Sequence, residues 1–333
     1  MAKAALLFFC FKAPITYNSK KYISGVSSMQ IADLLNSEEI MIIEEIEKGW
    51  SMDKKYYIQL YNGTKMLLRK SALDTYTRKT TEFDAMKQLH QEGLPISEPL
   101  DIKGVEDEIQ SLFRWVEGTD ASDRITQLTE EEQYRLGLES GKILNRIHEL
   151  DVVPENIEAW GSTFQRKIER NITRYQSCGL AYDNDAFFLN AIKKYQHLIQ
   201  NRPQTFQHGD YHIENMLLTE DNQLRLIDFN RWDYGDPWEE FNRIDFTVEM
   251  SAAFATGQLN SYFSGQPPLE FFELLLLYIA SNTLSALPWA LNYSEKEVQT
   301  MRNKAVRVQG WYTASNSVIP NWYDETLLSK YGL

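Results

Sequence analysis

The sequence predicts an α+β chain folded as two lobes, a small antiparallel sheet followed by a larger, mainly helical part. Three observations carry this. β-Branched and aromatic runs with a hairpin signal crowd the first third. Helical apolar spacing fills most of the remainder. One strand-like insert, near residues 207–237, interrupts the helices. At 333 residues the chain is long enough to bury a core in each lobe.

Residues 1–30 show no clear periodicity and read as a leader expected to be poorly ordered. Within it, Ala4–Phe11 faintly resembles the apolar core of a signal peptide, but Lys12 ends the run and no small-x-small cleavage site follows. Ile31–Ile46 reads as a helix, with Ile31, Leu34, Leu35, Ile42, Ile43 and Ile46 as apolar contacts. Tyr56–Tyr61 and Met66–Arg69 read as strands, and Asn62-Gly63 between them is a strong hairpin signal. Tyr76–Gln91 is helical, Gly93–Pro99 breaks it, and residues 109–116 form a further strand. Residues 31–116 are then the first lobe and 117–333 the second.

Thr129-Glu130-Glu131-Glu132 is a capping box. It opens a helix carrying Leu136, Ser140, Ile143, Ile147 and Leu150 at steps of three and four. Ala186–Ile199 is another helix, and Phe271–Tyr293 and Glu295–Thr313 close the chain. Leu274–Leu291 holds no charge and only touches the lower length limit for a membrane span. Its Ser281, Asn282, Thr283, Ser285 and Pro288 suit a buried core helix followed by a break, so no membrane is expected.

Hydrophobic residues make up 43% and charged residues 24%, as in ordinary globular chains. A net charge of −13 argues against a nucleic-acid partner and is compatible with a cationic small molecule. Cys10 and Cys178 cannot make a disulfide framework, and no Cys/His cluster has zinc spacing. A reducing, cytoplasmic compartment is the simple reading.

The segment Gln207–Pro237 carries the chemistry. Asn215 follows Asp210 by five residues, and Asp228 follows by thirteen more. Two short apolar runs around Thr219-Glu220-Asp221-Asn222 read as a hairpin that folds Asn215 and Asp228 towards each other. A carboxylate and an amide oxygen brought together suit a hard cation with phosphates as its other ligands. Asp210 could then orient a hydroxyl, which completes the parts that phosphoryl transfer needs.

His208-Gly209-Asp210, Asn215, Ile227-Asp228-Phe229 and Gly235-Asp236-Pro237 resemble, in order and spacing, the motifs of the aminoglycoside phosphotransferase family. That family is a small-molecule branch of the protein-kinase-like fold. The resemblance implies Asp210 as catalytic base and Asn215 with Asp228 as Mg²⁺ ligands. It implies ATP or GTP as co-substrate and a small-molecule hydroxyl as acceptor, possible acceptors being an aminoglycoside, a macrolide, choline, homoserine or a sugar. Arg69 stands where kinases place a phosphate-gripping Lys, and Glu82 is its expected ion-pair partner. Lys70 should point to the opposite face of the strand. The backbone of Ser51–Lys54 is the candidate phosphate-covering turn, although Gly49 is its only glycine. Leu112–Val116 would be the lobe connector. His208 is expected to brace the loop and Asp236 to cap a helix start. The acidic group Asp233, Glu239, Glu240, Asp245 and Glu249 reads either as an anionic rim for an amine or as a solvated helix face. A protein kinase and a silent nucleotide-binding module are the competing readings. Absence of H-R-D and A-P-E opposes the first, and intact Asp210, Asn215 and Asp228 oppose the second.

Overall fold

The structure, a computed structural model, describes residues 40–47, 53–313 and 317–333. Its first layer is a five-stranded antiparallel sheet in the order β1-β2-β3-β5-β4. The strands are β1 (Ile40–Ile46), β2 (Lys54–Leu60), β3 (Lys65–Ala72), β4 (Pro99–Val105) and β5 (Glu108–Arg114). Helix α1 (Tyr76–Gln91) connects β3 to β4.

Ile40–Ile46, expected as the end of a helix, is a strand, while residues 31–39 and the whole leader lie outside the described residues. The reason is a register shift. A bulge between Ile40 and Ile42 puts Ile40 and Ile43 onto one core, a helical spacing produced by an irregular strand. Strand β4 carries no sequence signal as strong as its neighbours'. It begins at Pro99, which is tolerated because β4 is an edge strand.

The helical part contains α2 (Ala121–Arg124), α3 (Glu130–His148), α4 (Trp160–Ser177), α5 (Asp185–Tyr195), α6 (Ile244–Met250), α7 (Ala252–Tyr262), α8 (Leu269–Ala290), α9 (Glu295–Thr313) and α10 (Thr326–Tyr331). The capping box forms at the start of α3: the Thr129 hydroxyl accepts from Glu132 N–H, and the Glu132 carboxylate accepts from Thr129 N–H. The apolar α8 is a core helix, buried along most of its length, and it continues two residues beyond Pro288 before ending at Ala290. Between α5 and α6 lie short strands: β7 (Thr205–Gln207), β8 (Met216–Leu218), β9 (Leu224–Leu226) and β10 (Asp233–Gly235). β8 and β9 are the expected hairpin, extended by β6 (Thr119–Asp120), and β10 pairs with β7.

Helices α3 and α7 touch backbone to backbone. A Cβ on Gly137 would lie 2.1 Å from the Phe254 carbonyl oxygen, and one on Gly141 would lie 2.3 Å from that of Gln258. Ser140, between those glycines, receives Gln258 Nε2–H on its hydroxyl at 3.1 Å and Tyr211 O–H on its carbonyl at 2.7 Å. The seam therefore anchors the loop that holds Asp210.

The buried residues fall into a large cluster and two small ones, the smaller of which is Tyr134, Leu138 and Leu327. Tyr56, Ile58, Leu60, Met66, Leu68 and Leu112 make a separate core within the sheet. Phe83, Met86 and Leu89 of α1 belong instead to the large cluster, with Leu144 and Ile147 of α3. Leu226 N–H donates to Pro95 O at 2.8 Å, which ties the chain after α1 to the hairpin. The Arg78 guanidinium stacks 4.7 Å over Trp232 and donates to the Trp232 carbonyl.

Candidate active site

Strand β7 delivers His208 to the centre of the molecule, where the ring is fully buried. His208 Nε2 meets the Ile227 carbonyl at 3.0 Å, and Nδ1 accepts from Asp210 N–H at 3.2 Å. The ring thus braces the Asp210 loop against the residue preceding Asp228. Gly209 has φ +80°, and a Cβ there would stand 2.0 Å from the Arg231 carbonyl oxygen, so only glycine fits. Its N–H donates to the buried Glu240 carboxylate at 2.9 Å.

Asp210 is mostly buried yet flanked by two arginines and a histidine ring. Arg243 Nη1 lies 2.7 Å from Oδ1, His212 Nε2 3.3 Å from Oδ1, and Arg231 Nε 3.6 Å from Oδ2. Burial alone would raise this carboxyl. The His212 contact and the two arginines outweigh it and hold the group well below its ordinary value. Asp210 is therefore an anion at neutral pH, able to orient a hydroxyl and to take its proton late.

The hairpin brings the next two candidates together, since Ile227 N–H donates to Asn215 O at 3.0 Å. Asn215 Nδ2 donates to the Asp210 carbonyl at 2.8 Å, so Oδ1 is the amide atom left for a cation to use. Asp228 adopts the left-handed conformation, φ 67° and ψ 61°. Its carboxylate receives Arg69 Nη2 and Lys55 Nζ, each at 3.3 Å. Burial raises the Asp228 carboxyl, and Arg69 and Lys55 reverse that to leave it lowered. Among the described residues, no cluster of three metal-ligating side chains exists. One carboxylate and one amide oxygen fit a divalent cation that takes its remaining ligands from phosphates and water.

Arg69 is almost fully buried and pairs with Glu82 of α1, Nη1 to Oε1 at 3.0 Å. Lys79 joins them, 2.7 Å from Asp53 and 3.4 Å from Glu82. Arg69 and Glu82 are thus together as expected, and Lys70 turns to the other face, where it pairs with Glu108.

Two expectations on the phosphate-covering turn fare differently. Ser51 lies outside the described residues. Lys54 is exposed and stands opposite Lys70, so its side chain is on the face away from Asp228. Lys55 stands opposite Arg69 and reaches Asp228 instead. The expectation for residues 51–54 concerned backbone amides, which this side-chain alternation leaves open, and Lys55 is a cation it did not include. Sequence reasoning also passed over Arg231, Arg243 and Lys79. None lies in a motif, and each is recruited by packing.

A family model described as "Phosphotransferase enzyme family" matches residues 42–272, more than half of the chain and all of the site. The chain belongs to this phosphotransferase family. It is an enzyme that passes phosphate to hydroxyl groups of small molecules. Solved structures agree in fold. The amicoumacin kinase hAmiN, in complex with AMP-PNP, Ca²⁺ and Ami, matches at TM-score 0.62 and 12% identity, over 91% of this chain and 97% of that one. An apo aminoglycoside phosphotransferase APH(4)-Ia, a thermostable mutant, matches at 0.60 and 16%, over 85% and 98%. A choline/ethanolamine kinase family protein from Mesorhizobium loti matches at 0.58 and 14%, over 80% and 88%. No curated protein matches the chain. The two-lobed protein-kinase-like fold is therefore shared by this phosphotransferase and kinases of chemically unlike acceptors.

Proposed function

We propose that this phosphotransferase moves the γ-phosphate of ATP or GTP to an alcohol group of a small molecule, with Mg²⁺ as the divalent ion. The acceptor oxygen bonds to the γ-phosphorus, the bond to the nucleoside diphosphate breaks, and the hydroxyl proton passes to Asp210. Asn215 Oδ1 and the Asp228 carboxylate would hold the ion. When bound, Mg²⁺ neutralises charge on the phosphates. Arg69, fixed by Glu82, would grip them, and Lys55 would add a second cation from β2. The backbone of residues 51–54 would cover them. Such chemistry draws on cytoplasmic nucleotide.

The observation that supports this reading most is the joint positioning of three groups by one loop. Asn215 bonds to the Asp210 backbone, and His208 bonds to both the Asp210 and Asp228 sides. Catalysis here would rest on alignment and charge rather than on a covalent intermediate.

The test is ATP and GTP consumption by the purified protein with Mg²⁺, across aminoglycosides, macrolides and small alcohols. Acceptor-dependent turnover should fall by about 10²-fold or more in Asp210→Ala. A protein that binds neither nucleotide would overturn the reading.

A further inference from the structure

The acidic group around Gly235 offered one reading as a rim for a cationic acceptor, and the structure spends those charges elsewhere. Glu239 pairs with Lys167, Asp245 with Lys304 and Glu249 with Arg307, at 2.7, 2.7 and 2.8 Å. Glu240 is buried under Gly209, and Asp233 accepts the N–H of Tyr234. Glu214 remains on that side, 48% exposed and across the His212 ring from Asp210.

What stands beside Asp210 is positive. Arg243 is 25% exposed and Arg231 43% exposed, and they flank the two oxygens of one carboxylate. Neither has a second carboxylate within ion-pair reach, and neither donates a hydrogen bond to another described residue. Their forks are therefore largely unfilled. Arg202 shows the contrast: both of its forked nitrogens are taken by Asp236, at 2.7 and 3.0 Å. A planar fork with free N–H donors matches a carboxylate or phosphate. Any hydroxyl that reaches the Asp210 carboxylate must lie next to both guanidinium groups.

We propose that the acceptor is an alcohol carrying a carboxylate or phosphate close to its reacting hydroxyl, gripped by Arg231 and Arg243. This rests on the phosphotransferase reading above. Anion binding would also draw the guanidinium groups off Asp210 and free its oxygens for the hydroxyl. Phe246 stacks on the His212 ring at 4.9 Å, which places an aromatic surface next to that histidine.

The test uses probes that share a three-carbon diol skeleton and differ in end-group charge: glycerate, glycerol 3-phosphate, glycerol and 3-aminopropane-1,2-diol. Binding is measured by calorimetry on full-length protein holding Mg²⁺ and a non-hydrolysable ATP analogue. The anionic probes should bind about tenfold or more tighter than glycerol, and the amine no better than glycerol. Glycerate against glycerol 3-phosphate tells carboxylate from phosphate. Arg231→Gln and Arg243→Gln should each reduce the preference, with Arg243→Lys intermediate because it keeps charge without a fork. Thermal melting checks that each variant is folded. The proposal is overturned if the amine binds as well as the anions, or if no probe binds to protein that holds nucleotide. It is equally overturned if the variants weaken nucleotide binding while leaving the probe ranking intact, which would assign the arginines to the γ-phosphate. Failure of wild-type protein to bind nucleotide sinks the phosphotransferase reading itself.

Discussion

Replacing Gly137 by Ala tests the seam under the candidate active site. In α3 an added Cβ meets the Phe254 carbonyl oxygen at 2.1 Å, whereas ordinary contact begins at 3.4 Å. The helices must part by the difference, about 1.3 Å, because the obstacle is backbone and cannot swing aside. Overpacking of this size costs about 3 kcal/mol. Ala in place of Gly returns about 1 kcal/mol of helix propensity, leaving a net loss of about 2 kcal/mol. Gly141 sits one turn along the same face, with its Cβ 2.3 Å from the Gln258 carbonyl oxygen. A separation that clears the first contact also clears the second. The double variant should therefore lose scarcely more than Gly137→Ala alone, a strong departure from additivity. Equilibrium urea unfolding of wild type, both singles and the double measures this from midpoints at constant m. The same separation pulls Ser140 away from Tyr211, so turnover should fall with stability. A neutral or stabilising Gly137→Ala, or a double variant equal to the sum of the singles, would refute the reasoning.

Two further outcomes follow from buried charge. Asp236 is fully buried between Arg202, Tyr278 and the Trp238 N–H, and Arg202 stacks 3.8 Å over the Trp238 ring. Arg202→Met should cost about 3–5 kcal/mol because it strands that carboxylate. Adding Asp236→Asn should recover part of the loss, and a double variant less stable than Arg202→Met in urea would count against it. Arg243→Gln should cost about 1 kcal/mol at neutral pH through its pairing with Asp210. The Asp210 carboxyl is lowered on folding from 3.8, so the stability it contributes is present above that value and is lost as pH falls. The gap between wild type and Arg243→Gln should then narrow progressively as pH falls below about 4, and a gap that does not change with pH would contradict this.

Much of the fold and the site was legible because local signals and tertiary demands agree. Asp210, Asn215 and Asp228 sit in a contiguous loop and hairpin whose turn residues fix their approach, so spacing alone predicts that they meet. Arg69 and Glu82 share a strand and the next helix. Lys55 was not legible, because the β2–β3 register was not. A strict two-residue turn at Asn62-Gly63 would set Arg69 opposite Tyr56, but the turn is wider and sets it opposite Lys55. One residue of register exchanges the two faces of a strand. Strand β1 was misread because its bulge mimics helical spacing. Helices α4 and α7 were missed because their sequences carry no start signal comparable to the capping box of α3. Arg231 and Arg243 meet Asp210 only through packing between segments, which no local pattern encodes.

The division of the core has a mechanical consequence. Helix α1 lies in the first third of the chain, yet its apolar face is embedded in the large cluster, and Arg78 fastens its first turn to the segment after Asp228. The sheet keeps a small core of its own. Phe113 of β5 joins Phe83 of α1 in the large cluster, so the sheet is held to α1 through β5, while β1 and β2 pack only on the small core. A sheet that rocks about that contact would move Arg69 relative to Glu82 and Asp228. The ion pairs among those three residues would then act as the stop that sets how far the sheet can open.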